Sequence, residues 1–171
     1  YEGTKFCGWQ RQSSVKSIQE EIENSISQIT QTNISIQGAG RTDAGVHALG
    51  QVFHFDTDII RPIKSLTKGV NSFLPDSIRI KWVKKVPDDF HARFSATSRQ
   101  YQYLLNNAVI NSSIWSNHCG WTFYELDQEL LKTASKKFEG RHDFSAFRSS
   151  ECQAKSPVRS IKNIRVEKFN N

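Results

Sequence analysis

The segment Gly38-Ala39-Gly40-Arg41-Thr42-Asp43-Ala44-Gly45-Val46-His47-Ala48-Leu49-Gly50 decides how this chain is read. Four of the nine glycines in 171 residues crowd around one aspartate, Asp43, with no second acid beside it. Glycine supplies backbone angles and close approaches that other residues cannot, so the cluster marks a loop whose shape matters. The flanks alternate in polarity. Asn33 to Gln37 predicts a short strand entering the loop, and Gln51 to Asp56 a second one leaving it, with Phe53 and Phe55 on one face and Val52 and His54 on the other. Asp43 is thus expected at the rim of a sheet, where a rigid scaffold presents a functional loop.

A phosphate-cradling loop fits this stretch poorly. The dinucleotide fingerprint needs a glycine where Asp43 stands, the P-loop needs a Gly-Lys-Ser/Thr ending, and a carboxylate at the centre repels phosphate. Two readings of Asp43 stand from the stretch alone: a turn aspartate bonded to its own backbone, or a functional carboxylate kept ionised by Arg41 two residues away.

Further segments narrow the choice. Arg41 to Ala48, followed by Gly50-Gln51-Val52 and His54-Phe55, resembles the catalytic-aspartate motif of the TruA-type tRNA pseudouridine synthases. Tyr1-Glu2-Gly3 with Gly8-Trp9-Gln10-Arg11-Gln12 is similar to that family's opening motif, and Phe90-His91-Ala92-Arg93-Phe94-Ser95-Ala96 to its central RNA-contacting motif. Arg99-Gln100-Tyr101-Gln102-Tyr103 resembles the active-site tyrosine segment, and Asp143-Phe144 with Phe147-Arg148 is the weakest match. These run in family order over nearly the whole chain, which makes chance agreement improbable although each motif alone is weak.

The resemblance implies an α+β pseudouridine synthase fold, a mainly antiparallel sheet flanked by helices, and isomerisation of uridine to pseudouridine at positions 38, 39 and 40 of the tRNA anticodon arm. It implies Asp43 as nucleophile or sugar base, Arg41 as the group that fills the gap in the RNA once the nucleotide is flipped out, and Tyr101 against the uracil. Flipping is a physical requirement, because the glycosidic bond of a stacked nucleotide is inaccessible. It further implies RNA contacts from Arg61, from Phe90, His91, Ala92, Arg93 and Phe94, and from Arg148 and Lys155, together with a homodimer and no cofactor. The halves are expected at residues 1–94, carrying the Asp43 loop, and 95–171, the start of a truncated second half. A non-catalytic RNA-binding remnant of the same fold is the alternative, and Tyr101 reads equally as one more strand aromatic.

Composition agrees with an RNA partner without requiring one. Lys plus Arg number 23 against 17 for Asp plus Glu, a net +6 and a pI near 9.3, which favours polyanions. Residues 79–101 hold six cations against two anions and residues 141–171 seven against three, each a net +4. Solvated surface lysines account for many of these. The five histidines, His47, His54, His91, His118 and His142, and the three cysteines, Cys7, Cys119 and Cys152, show no zinc spacing. An odd cysteine count argues for a reducing compartment, and no apolar run reaches membrane length, so the chain reads as cytoplasmic. It contains no methionine and opens inside a motif, which points to ends that lie beyond it.

The remaining pattern is scaffold. Ile18, Ile22, Ile26 and Ile29 recur at helical spacing behind Ser17, whose partner Glu20 completes a capping box, with Glu20, Glu21, Glu23 and Asn24 outward. Arg61 to Leu74 predicts a second helix bounded by Pro62 and Pro75, and Asp127 to Phe138 a third, with Leu130, Leu131, Ala134 and Phe138 inward. Trp9 is expected to pack. Ile78 to Val86, the stretch around Tyr101 to Leu105, and Val158 to Phe169 predict strands. Asn106 to Asn117 and Gly140 to Pro157 predict loops.

Overall fold

The computed structural model describes residues 1–148 and 155–169, so Cys152 lies outside the described residues. Two compact units emerge: residues 1–104 with 114–119, and residues 105–113 with 120–171.

Helix α1, Ile18–Thr30, organises the first unit. Ser17 caps it in extended conformation, its Oγ accepting the Glu20 N–H at 3.3 Å, an interaction worth about 1 kcal/mol. Gln31 ends it with a left-handed φ of 55°, returning its N–H to Ser27 O. Ile18, Ile22 and Ile26 are buried with Phe6, Trp9, Ile34, Ile36, Val70, Leu74 and Ile78, and Ile29 packs at the edge. Each buried isoleucine contributes roughly 1.5–3 kcal/mol. Helix α2, Ile63–Phe73, lies against α1, with Pro62 just before its first turn and Leu74 at its end, as the prolines predict.

One prediction about α1 is overturned. Glu23 is not on the outer face: it is buried, its carboxylate accepting Nε2 of Gln19 at 2.9 Å and the Ile36 N–H at 3.0 Å, and pairing with Nε of Arg11 at 3.0 Å. That arrangement also explains why residues 33–36 join no ladder. Their alternation holds, with Ile34 and Ile36 buried, but Ile36 N–H goes to Glu23 and Ile34 N–H to Ser27 Oγ, so helix side chains satisfy an extended segment that no strand partners. The ladder starts one step later, where β1, Gln37–Gly38, runs antiparallel to β2, Phe53–His54.

The same substitution of side chain for strand occurs at residues 78–86. Asn71 accepts the Ile80 N–H and donates to Ile80 O, both at 2.8 Å, and no ladder forms along this stretch. Ile78 is buried as expected, whereas Trp82 on the same nominal face is exposed.

In the second unit β3, Leu105–Asn107, pairs parallel with β4, Gly120–Thr122, and β5, Gly140–Asp143, pairs antiparallel with β6, Val158–Ile161. Three two-stranded ribbons, one of them parallel, thus make up the sheet structure of the described residues. The expected strand through Tyr101 and Tyr103 begins only at Leu105. The expected loop after Gly140 instead carries β5 and a short 3-10 turn at Ser145–Phe147. Helix α3, Gln128–Lys136, is capped by Asp127, which accepts the N–H groups of Glu129 and Leu130. Its apolar residues do not enter a core: Leu130, Leu131 and Phe138 are all exposed, although the Phe138 ring meets those of Phe144 and Phe147. No described helix is long and apolar enough to cross a membrane.

Candidate active site

The Asp43 loop leaves β1 and returns at β2, and backbone bonds pin it along its length. Ala39 N–H donates to Val52 O at 2.7 Å, and Gln51 Nε2 to Gly40 O at 2.7 Å. The chain's opening segment braces the far side: Trp9 N–H reaches Thr42 O at 3.0 Å, Gly45 N–H reaches Phe6 O at 3.3 Å, and Ala48 N–H reaches Tyr1 O at 3.0 Å. Two glycines permit this embrace. Gly8 has φ +87°, and a Cβ there would lie 2.6 Å from Thr42 O; a Cβ on Gly38 would lie 2.8 Å from the Trp9 ring. Trp9 is therefore a buried anchor, as its sequence context predicts.

Asp43 heads a turn closed by Val46 N–H on Asp43 O at 3.2 Å. Its carboxylate takes no part in that turn. The Gly45 N–H that an Asx turn would use goes to Phe6 O instead, and the carboxylate stands exposed without a hydrogen bond among the described residues. The ion pairs among the described residues are Arg11–Glu23, Arg79–Asp76 and Lys132–Glu129, with His47 Nδ1 lying 3.6 Å from Glu2 Oε1, so Arg41 shares the loop with Asp43 without bridging to it.

Two side chains on this brace were read in the sequence only as members of motifs, with no bonding partner assigned. Tyr1 Oη shares a 2.8 Å hydrogen bond with Thr42 Oγ1, next to Asp43, and burial pushes its phenol above the ordinary value, opposed by hydrogen bonds from Thr42 and Gln51. His47 accepts the Gly3 N–H on Nδ1 at 3.0 Å and donates from Nε2 to Asn117 O at 2.9 Å. Glu2, His47 and His118 present possible ligand atoms within 4.8 Å of one another. The donor chemistry does not suit a metal, because both ring nitrogens of His47 already serve the scaffold. Glu2 is held below the usual carboxylate range first by its hydrogen bond from Thr4, with smaller help from His47 and His118.

The segment Phe90 to Phe94 sits beside the loop's entry strand. His91 Nε2 donates to Gln37 Oε1 at 2.8 Å while its Nδ1 accepts from Arg93 N–H, and His54 Nδ1 accepts the Ala92 N–H at 3.1 Å. The His54 and His91 rings meet at 4.6 Å and Phe90 abuts His54 edge-on. Ala92 is buried, so within this motif the groups left facing outward are Arg93 and Phe94, with the guanidinium 5.8 Å above the Phe94 ring. Arg61 is exposed ahead of α2. Tyr101 is 85% exposed, and no hydrogen bond or ring contact ties it to Asp43. Arg148 and Lys155 are exposed in the second unit.

An exposed carboxylate thus stands on a rigidly braced loop, with Arg41 two residues before it in the chain and the Phe90 to Phe94 segment beside the strand that enters the loop. The tRNA pseudouridine synthase family model matches residues 1–95 and 134–171, and the chain belongs to that family. It is 48% identical over 99% of its length to tRNA pseudouridine synthase A of Pseudoalteromonas atlantica, 48% over 97% to that of Nitrosomonas eutropha, and 46% over 97% to that of Shewanella frigidimarina. It spans 64%, 60% and 64% of those relatives' lengths.

Proposed function

We propose that the protein containing this chain isomerises uridine to pseudouridine in tRNA, at positions 38 to 40 of the anticodon arm. The exposed, unengaged carboxylate of Asp43 on a loop fixed by the backbone carries the reading. The reaction cuts the bond between the sugar and a uracil nitrogen, turns the base, and joins the same sugar carbon to a uracil carbon; one proton leaves that carbon and one is taken up by the nitrogen released from the sugar, so the composition is unchanged. An ionised acid at the sugar–base junction serves as nucleophile or base in the first step. Arg41 fills the place of the flipped nucleotide, Tyr101 faces the extruded uracil, and Arg61, Arg93, Phe94, Arg148 and Lys155 hold the RNA, while Phe90, His91 and Ala92 shape the segment that presents Arg93. Nothing in this chemistry calls for a cofactor or a metal. We further propose a cytoplasmic homodimer whose strands extend into a mainly antiparallel sheet, with the Asp43 loop in the half ending at residue 94 and the second half beginning at 95.

One observation favours a second reading. Tyr101 is 85% exposed and makes no hydrogen bond or ring contact with Asp43 among the described residues, which suits an RNA-binding chain without turnover. Incubation with a tRNA anticodon arm decides between them. We expect pseudouridine from the wild type, a loss of turnover of at least about 1,000-fold in Asp43→Ala, and RNA affinity within about threefold of wild type in that variant. Binding without product in the wild type overturns the catalytic reading.

A further inference from the structure

Arg99 lies between two segments that the proposed reaction must hold in register. Its Nη2 donates to the carbonyl of Ala39 at 2.7 Å and, more weakly, to that of Arg93 at 3.3 Å. Ala39 is four residues ahead of Asp43, and its N–H is already fixed on Val52 O at 2.7 Å. The guanidinium therefore closes the side of Ala39 that the ladder leaves open. A planar, permanently charged group with five N–H donors is suited to spanning two carbonyls, and its charge strengthens both bonds. A parallel tie, His91 Nε2 to Gln37 Oε1 at 2.8 Å, runs between the same two segments. That second tie uses neutral partners and joins the strand, whereas Arg99 grips the loop itself.

We propose that Arg99 is a positioning residue: it fixes the Asp43 loop against the segment carrying Arg93 and Phe94, so that RNA held by the second is presented in register to the first. The inference rests on the catalytic reading above. Misplacement of reacting groups by about 1 Å costs up to about 100-fold in rate, so a clamp this close to the acid acts on the chemical step.

The test uses Arg99→Met, which removes the clamp, and Arg99→Lys, which keeps the charge without the planar fork. We expect kcat to fall about 10- to 100-fold in the methionine variant, with KM and tRNA affinity within about twofold of wild type, and partial recovery in the lysine variant. Amide exchange measured without RNA should quicken at residues 38–46 and 91–95 while α1 and α2 stay as protected as in the wild type. A rise in KM alone, an unchanged kcat, or unchanged exchange at 38–46 overturns the proposal. Should the methionine variant fail to fold, the lysine variant carries the same readouts. A wild type that makes no pseudouridine defeats the catalytic reading, and the kinetic role of Arg99 with it; normal turnover with unaltered exchange defeats the clamp alone.

Discussion

A tyrosine at the edge of the core shows how one residue can report on the loop it braces. Tyr1 is half-buried, and its hydroxyl meets Thr42 Oγ1 one residue from Asp43. Burial raises its pKa above the ordinary value near 10, against the pull of the Thr42 and Gln51 hydrogen bonds. The folded state therefore holds its proton more tightly than the unfolded one. Below the unfolded value both states carry the proton and the stabilisation is complete; as pH climbs through the folded value it is lost, because the unfolded chain ionises first. Urea midpoints taken from about pH 9 to about pH 11 should fall for the wild type and fall less for Tyr1→Phe, which should also lose the most alkaline step of the phenolate absorbance titration. Equal slopes for the two proteins would show that Tyr1 titrates as freely in the folded state as in the unfolded one. The exposed loop position of Asp43 was legible in the sequence, because its glycines and the alternation on either side mark a presented loop. Arg99 was not, because its partners are backbone carbonyls, which leave no mark on residue identity.

Elements divide by where their backbone bonds go. Helices satisfy themselves, so apolar spacing and capping residues located the start of α1 and both ends of α2 and α3 to within two residues. Strands need partners elsewhere, and here two of the expected strands find side chains in their place: Glu23 and Ser27 for residues 34–36, Asn71 for Ile80. Alternation of apolar residues marks which side faces the core and says nothing of what bonds the edge. Glu23 is the costliest of these joints to break. Its removal leaves the buried Ile36 N–H without an acceptor and reduces Gln19 Nε2 to its longer bond to Ile36 O at 3.3 Å, so Glu23→Ala should destabilise the chain by about 2–3 kcal/mol in chemical denaturation. Glu23→Gln keeps an acceptor for Ile36 and should cost about 1 kcal/mol. A loss under about 0.5 kcal/mol in the alanine variant would mean that water or another group takes over both bonds.

On the scale of the whole molecule, apolar burial is uneven. All eleven buried hydrophobic residues of the described structure fall between Phe6 and Ala92, within the first unit. The second unit has ribbons and a capped helix but exposes Trp121, Phe123, Tyr124, Leu130, Phe147 and Phe169. Stability of local structure follows buried apolar contact, and a helix of nine residues is marginal by itself. Hydrogen exchange on the isolated chain should therefore separate two classes of amide. Those of α1, backed by four isoleucines, should exchange slowest, near the limit set by global unfolding. Those of α3 should exchange at least about 100-fold faster, through local opening. Equal protection of α1 and α3 in the isolated chain would instead mean that the apolar face of α3 is already covered within it, contrary to the exposure of Leu130, Leu131 and Phe138.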